Sequence, residues 1–159
     1  MQYITDRLLV GTIEDARQPP KLIAGMLVVA EELTVAAPKG VPYAQVPLKE
    51  FGEASAPILY RAVEWLERHA GEKPLLVCCR AGIGRSVSVV LAFLCCVEGM
   101  SYVEALELVK ARRPGAMLLP RLEQTIEVVT RLRRSAAESR QTPPPSRRVF
   151  PAGFKRKAS

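Results

Sequence analysis

Leu75-Leu76-Val77-Cys78-Cys79-Arg80-Ala81-Gly82-Ile83-Gly84-Arg85, followed at once by Ser86, is the stretch that decides how the rest of the chain is read. Four apolar residues run into Cys79, a six-residue turn with two glycines follows, and a long apolar segment opens at Arg85. The order is strand, loop, helix, with a thiol where the strand ends and a guanidinium where the helix begins. A loop of this shape turns successive backbone N–H groups inward and makes an anion-binding nest. The helix N-terminus adds roughly half a positive charge aimed at the same point. A phosphate dianion fits there with Cys79 beneath it, and the same field favours the nucleophilic thiolate over the thiol. The stretch implies dephosphorylation through cysteine.

In this reading Cys79 attacks phosphorus in line and Arg85 grips two equatorial oxygens with its planar fork, which lysine lacks. The amides of Arg80, Ala81, Gly82, Ile83, Gly84 and Arg85 hold the remaining charge, and Gly82 and Gly84 permit the tight turn. The loop supplies the positive charge, so the reading requires no metal or other cofactor. A cysteine six positions before an arginine is weak alone, arising by chance in roughly 0.4 of chains of this composition. Requiring Gly at the third position and Ser or Thr after the arginine lowers that to about 0.003. Two plainer readings compete. Gly84-Arg85-Ser86 superficially matches a nucleotide-binding P-loop, but that motif needs Lys at 85 and Gly at 79, and both are absent. Cys79 as a merely buried strand residue is the commoner fate of a cysteine, and its neighbours argue against it.

Cys79 through Ser86 resembles the Cys-x5-Arg-Ser/Thr signature of the cysteine-dependent protein tyrosine phosphatases. The rest of the chain, over about residues 2 to 133, resembles their compact dual-specificity branch. Ile4-Thr5-Asp6-Arg7-Leu8-Leu9-Val10-Gly11, Val28-Val29-Ala30-Glu31-Glu32 and Val46-Pro47-Leu48 carry that likeness. The resemblance implies that Ser86 hydrogen-bonds the Cys79 sulfur and eases its departure; a plain helix N-cap is the simpler role. It also implies a general acid on a loop roughly thirty residues upstream, where the family has Asp. The matching position here is Glu50, with the right chemistry but one more methylene, and Glu53 is the other candidate. A weaker acid would favour aryl leaving groups, hence phosphotyrosine. Cys78 stands where the family has His, and Arg121 follows Pro120 where the family has Asn. A resolving role for Cys78 would need a strained vicinal disulfide.

The length, 159 residues, suits one domain with a full core. Charge is uneven: seven Lys/Arg and one Glu fall from Arg134 onward, so six of the seven net positive charges lie there. Basicity belongs to the tail. The cysteines form two adjacent pairs, Cys78-Cys79 and Cys95-Cys96, without metal-ligand spacing and poorly placed for disulfides. Cys95 and Cys96 read as core packing, and the single histidine, His69, as a cation at a helix end. Asp6 and Arg7 interrupt any signal peptide, and the apolar run Val87 to Val97 is too short to span a bilayer. A cytoplasmic monomer acting on phosphorylated proteins is the expectation.

The expected architecture is α/β: a central mixed sheet flanked by helices, with the phosphate-binding loop between the central strand and a helix. Strands are expected at Gln2 to Val10 (edge strand or hairpin), Met26 to Ala30, Tyr43 to Val46 and Pro74 to Cys78. A short helix is expected to begin at Gln18-Pro19-Pro20, and Glu31 to Gly40 to be a loop or short helix. Apolar spacing predicts an amphipathic helix over Ala56 to Ala70. Three more follow at about Arg85–Glu98, Tyr102–Ala111 and Leu119–Arg134, the second opened by a Ser101/Glu104 capping box. Residues 1–134 form the expected catalytic domain and 135–159 a disordered, proline-rich basic tail. That tail is either merely solvated or an arm for an acidic partner, nucleic acid or anionic lipid.

Four functions compete on these residues. A protein phosphatase favouring phosphotyrosine, with phosphoserine/threonine next, leads. A phosphatase for phosphoinositide or RNA 5′-phosphates gains support from Arg80 and the basic tail. The substitutions at Glu50 and Cys78 motivate a phosphate-binding module with weak turnover. A rhodanese-type sulfur-transferase is disfavoured by Ser86 and the N-terminal likeness. The low-molecular-weight phosphatases place the signature near the N-terminus, whereas Cys79 lies mid-chain.

Overall fold

The computed structural model describes residues 1–143 and 153. Five strands run β1 (Gln2–Thr5), β2 (Leu8–Gly11), β3 (Gly25–Val28), β4 (Tyr43–Gln45) and β5 (Leu75–Cys78). Five helices run α1 (Ile13–Arg17), α2 (Ala56–His69), α3 (Arg85–Cys96), α4 (Tyr102–Arg112) and α5 (Leu122–Gln141). The strands form one sheet in the order β1-β2-β5-β3-β4. Only the β1–β2 hairpin is antiparallel; the other pairs are parallel. Ligand sites in such sheets gather at the carboxyl ends of the central strands. Cys79 follows directly after β5, the middle strand.

Strand alternation sorts the core into two layers. Leu8, Val10, Leu27, Leu75, Val77 and Cys79 face a large cluster with α2, α3, α4 and α5. Leu9, Met26, Val28, Leu76 and Cys78 face a smaller cluster under α1. Cys78 and Cys79 are therefore chain neighbours on opposite faces of the sheet. Helix α3 is buried without interruption from Arg85 to Leu94 and runs through the middle of the larger layer. No helix among the described residues is long and apolar enough to cross a membrane.

Several boundaries differ from expectation. Helix α1 ends before Gln18-Pro19-Pro20 instead of starting there: Thr12 and Asp15 form a reciprocal capping box that opens it early. A residue preceding proline is pushed out of helical geometry, and Gln18 ends the helix accordingly. Helix α5 starts at Leu122, because Pro120 and a left-handed Arg121 (φ 53°) come first. It continues to Gln141, seven residues past the expected end, on a solvated turn of Ser135-Ala136-Ala137-Glu138. Those residues favour helix without the apolar stripe that periodicity detects. The rest of the expected tail lies outside the described residues, apart from Gly153. The Ser101/Glu104 capping box is present.

Candidate active site

The loop after β5 is held from outside, one carbonyl at a time. The carbonyl of Arg80 accepts from the Ile13 amide at 3.2 Å, and that of Ile83 from the Met117 amide at 2.7 Å. Arg113 donates through Nη2 to the Ala81 carbonyl at 3.3 Å and through Nε to the Gly82 carbonyl at 3.1 Å. The Gly84 carbonyl accepts from both the amide and the hydroxyl of Ser88. Carbonyls turned outward leave the amides turned inward, which is the anion nest. Gly82 is the position that demands glycine. Its φ is +66°, and a Cβ there would lie 2.8 Å from the Gly11 carbonyl oxygen. Gly84 has a negative φ (−110°), so of the two glycines in the turn only Gly82 takes up left-handed backbone.

Arg85 is 2% exposed, and its partners account for three of its five donors. Nη1 and Nη2 each donate to a different oxygen of the Glu32 carboxylate at 2.6 Å, and Nη1 also donates to the Leu48 carbonyl at 3.1 Å. A guanidinium has five N–H donors, so Nε–H and the second Nη2–H remain, side by side, for two oxygens of an anion. Burial opposes the charged guanidinium, but the Glu32 carboxylate outweighs it and raises the Arg85 pKa. Reciprocally, the hydrogen bonds from Arg85 hold Glu32 down at about 2.

Cys79 is buried, and its sulfur lies 3.2 Å from the Ser86 hydroxyl. Burial alone would raise the thiol pKa. The Ser86 hydroxyl and the amides of Ser86, Gly82 and Gly84, all directed at sulfur, outweigh burial and lower it. Cys78 shows the contrast. Buried on the other face, with the Asp15 carboxylate as a further cause, its thiol is pushed far above the ordinary range. One position apart, the two sulfurs are shifted in opposite directions, Cys79 toward the thiolate and Cys78 toward the thiol.

Cys79 and Arg85 open into a cavity of about 460 Å³. Glu50 and Phe51 line it on one side, and Met117, Leu118, Leu119 and Pro120 on the other. Glu53 is not among its lining residues and sits 4.0 Å from Arg121. The Arg80 guanidinium turns to Glu32 (3.3 Å) and Glu50 (3.7 Å) and does not line the cavity.

Comparison with known proteins agrees with this geometry. The profile of the dual specificity phosphatase catalytic domain matches residues 20–130. The chain belongs to the dual specificity phosphatase catalytic-domain family. It is 27% identical over 148 residues to the phosphatidylglycerophosphate phosphatase PTPMT2 of Arabidopsis thaliana, covering 86% of this chain and 65% of that protein. It is 46% identical over 52 residues to dual specificity protein phosphatase 15 of Rattus norvegicus, covering 33% and 22% respectively. The chain thus spans less than two thirds of either relative. The crystal structure of human DUSP28 superposes with a TM-score of 0.67 at 21% identity, covering 86% of this chain and 99% of that one.

Within this phosphatase fold, three supporting residues escape a motif reading. Glu32 stands at the end of a strand-like run, Arg113 just before Pro114, and Ser88 inside an apolar helix. Ser88 also accepts from the Leu119 amide at 3.0 Å, tying the cavity wall to the loop. The family-like run ending at Glu32 and a serine inside an otherwise apolar helix were the sequence signals available. Arg121 is exposed. Cys95 and Cys96 are half-buried at the edge of the main core rather than within it, Cys96 lying 3.5 Å from the Thr130 hydroxyl. His69 ends α2, its Nδ1 2.8 Å from the Trp65 carbonyl and its ring stacked on Trp65.

Alkylation of Cys79 by iodoacetamide, followed against pH, should reach half its maximal rate below the pH of an ordinary thiol. Ser86→Ala should move that midpoint upward. A midpoint unmoved by Ser86→Ala would deny the hydroxyl its role. Glu32→Gln should lower stability by about 1.5–3 kcal/mol at neutral pH, because it leaves a buried guanidinium without its countercharge. The Glu32 pKa is depressed on folding, so its contribution is present above the unfolded carboxylate value. It fades as pH falls toward about 2. Melting temperatures of wild type and Glu32→Gln should therefore converge through that acidic window.

Proposed function

We propose that this chain hydrolyses phosphate monoesters through a phosphocysteine on Cys79, with phosphotyrosine-type aryl esters preferred. The observation that carries this reading is an apolar-walled cavity lined by the Cys79 sulfur, by the guanidinium with two donors to spare and by the Glu50 carboxyl. In the first step the Cys79 sulfur attacks phosphorus and the P–O bond to the leaving group breaks. Arg85 and the loop amides hold the equatorial oxygens, where negative charge is greatest. Glu50 gives its proton to the departing oxygen. In the second step Glu50 takes a proton from water, the water oxygen bonds to phosphorus, and the S–P bond breaks. Ser86 then donates to the thiolate that leaves.

Phe51, Met117 and Leu118 suit a ring better than a polyol. Among the described residues no cation besides Arg85 lines the cavity, and Arg80 faces carboxylates. Both points favour a single aryl phosphate over a polyphosphorylated inositol or an RNA end. The similarity to a phosphatidylglycerophosphate phosphatase supports a second reading, a lipid carrying one phosphate. Phe51 and Met117, 79% and 62% exposed at the cavity mouth, would then contact acyl or glycerol groups.

The test is kcat/KM on a phosphotyrosine peptide, a phosphoserine peptide and phosphatidylglycerophosphate in mixed micelles. Cys79→Ser should abolish turnover of all three. The peptide carrying phosphotyrosine should exceed the others by at least about tenfold, and Glu50→Gln should lower its rate by about 10²-fold. Preference for the lipid would replace the first reading with the second. Binding of phosphopeptide without hydrolysis would overturn both.

A further inference from the structure

Arg80 is the one charged side chain of the phosphate loop that turns away from the phosphate. Its guanidinium stands between two carboxylates, with Nη2 3.3 Å from Glu32 Oε1 and Nε 3.7 Å from Glu50 Oε2. Glu32 in turn grips Arg85. A single chain of charges therefore links the loop that holds phosphate to the segment that carries Glu50. Glutamate has one more rotatable bond than aspartate, so a carboxyl here sweeps a larger volume and needs an external hold to stay aimed. Nothing on its own segment provides one: the neighbour Phe51 is 79% exposed, in left-handed backbone (φ 60°).

We propose that Arg80 is a positioning residue for general acid catalysis: by holding Oε2 of Glu50 it keeps Oε1 turned to the leaving oxygen. The inference rests on the assignment of Glu50 as the acid. At 3.7 Å the contact is electrostatic, so Arg80 draws Oε2 toward it while Oε1 carries the proton that is transferred. As the P–O bond breaks, that proton passes from Oε1 to the leaving oxygen, and the carboxylate left behind meets a guanidinium already in place. The hold on Glu32 matters equally, because it anchors Arg80 to the group that orients Arg85. Arg80 thus ties the timing of leaving-group protonation to the position of the phosphate. Its charge is engaged within the site and is not offered to a polyanionic substrate.

Leaving-group dependence isolates this role from general damage to the loop. 2,4-Dinitrophenyl phosphate expels its leaving group without a proton, whereas phenyl phosphate requires one. Arg80→Gln should lose about three- to tenfold more kcat/KM on phenyl phosphate than on the dinitrophenyl ester, the scale of a partly exposed ion pair. Arg80→Lys, which cannot fork between two carboxylates, should recover only part of the difference. The double variant Arg80→Gln/Glu50→Gln should lose no more on phenyl phosphate than Glu50→Gln alone. Equal losses of Arg80→Gln on both esters, or additive losses in the double variant, would overturn the proposal while leaving Glu50 as the acid. If Glu50→Gln itself discriminates between neither ester, the acid assignment fails and this inference fails with it.

Discussion

The pairing of Arg85 with Glu32 is the constraint on which the site depends. A guanidinium almost wholly removed from water is costly unless its charge and its donors are matched. Glu32 matches the charge and two donors, and the Leu48 carbonyl takes a third. The match fixes the plane of the fork, and with it the direction of the two N–H groups that remain. It also joins three segments distant in sequence: the end of the β3 region, the stretch leading to Glu50, and the start of α3. An anion-binding site built this way is organised before any anion arrives, so little reorganisation is required when charge develops in the transition state.

The same logic extends to the loop backbone. Successive carbonyls from Arg80 to Gly84 are held by α1, by Arg113, by the segment before α5 and by Ser88. These partners hold the loop by its carbonyls, and together they decide which way the amides face. Cys79 inherits the result. Cys79 is buried, which by itself disfavours a thiolate, and the inward amides with Ser86 reverse the balance. Cys78 has the burial without the donors, and titrates in the opposite direction.

Much of this was legible in the sequence because the signature is local. A strand, a glycine turn and a helix are contiguous from Leu75 to Cys96, so Cys79, the glycine turn and Arg85 could be placed from one run of residues. A central mixed sheet flanked by helices was legible from the same pattern, since short apolar runs mark buried strands; the strand order was not. What escaped depends on long-range pairing. Glu32 lies 53 positions from Arg85 and Arg113 lies 31 from Gly82; the run Val28 to Glu32 carries the family likeness without giving Glu32 a role, and nothing local marks Arg113. Glu50 and Glu53 are likewise alike in sequence; the turn at Phe51, with its left-handed backbone, puts one at the cavity and the other beside Arg121. Arg80 invites reading as an extra phosphate-binding cation, until its two carboxylate partners are seen.

The central claim is that the direction of Arg85's two unpaired donors, and not its charge alone, makes the oxyanion site. Calorimetric titration of tungstate, a phosphate mimic, into wild type and Arg85→Lys tests this directly, because lysine keeps the charge and loses the fork. Affinity should fall by at least about tenfold in Arg85→Lys, the scale of one charge-assisted hydrogen bond. Equal affinity in the two proteins would contradict the account, leaving the positive charge and the loop amides sufficient by themselves.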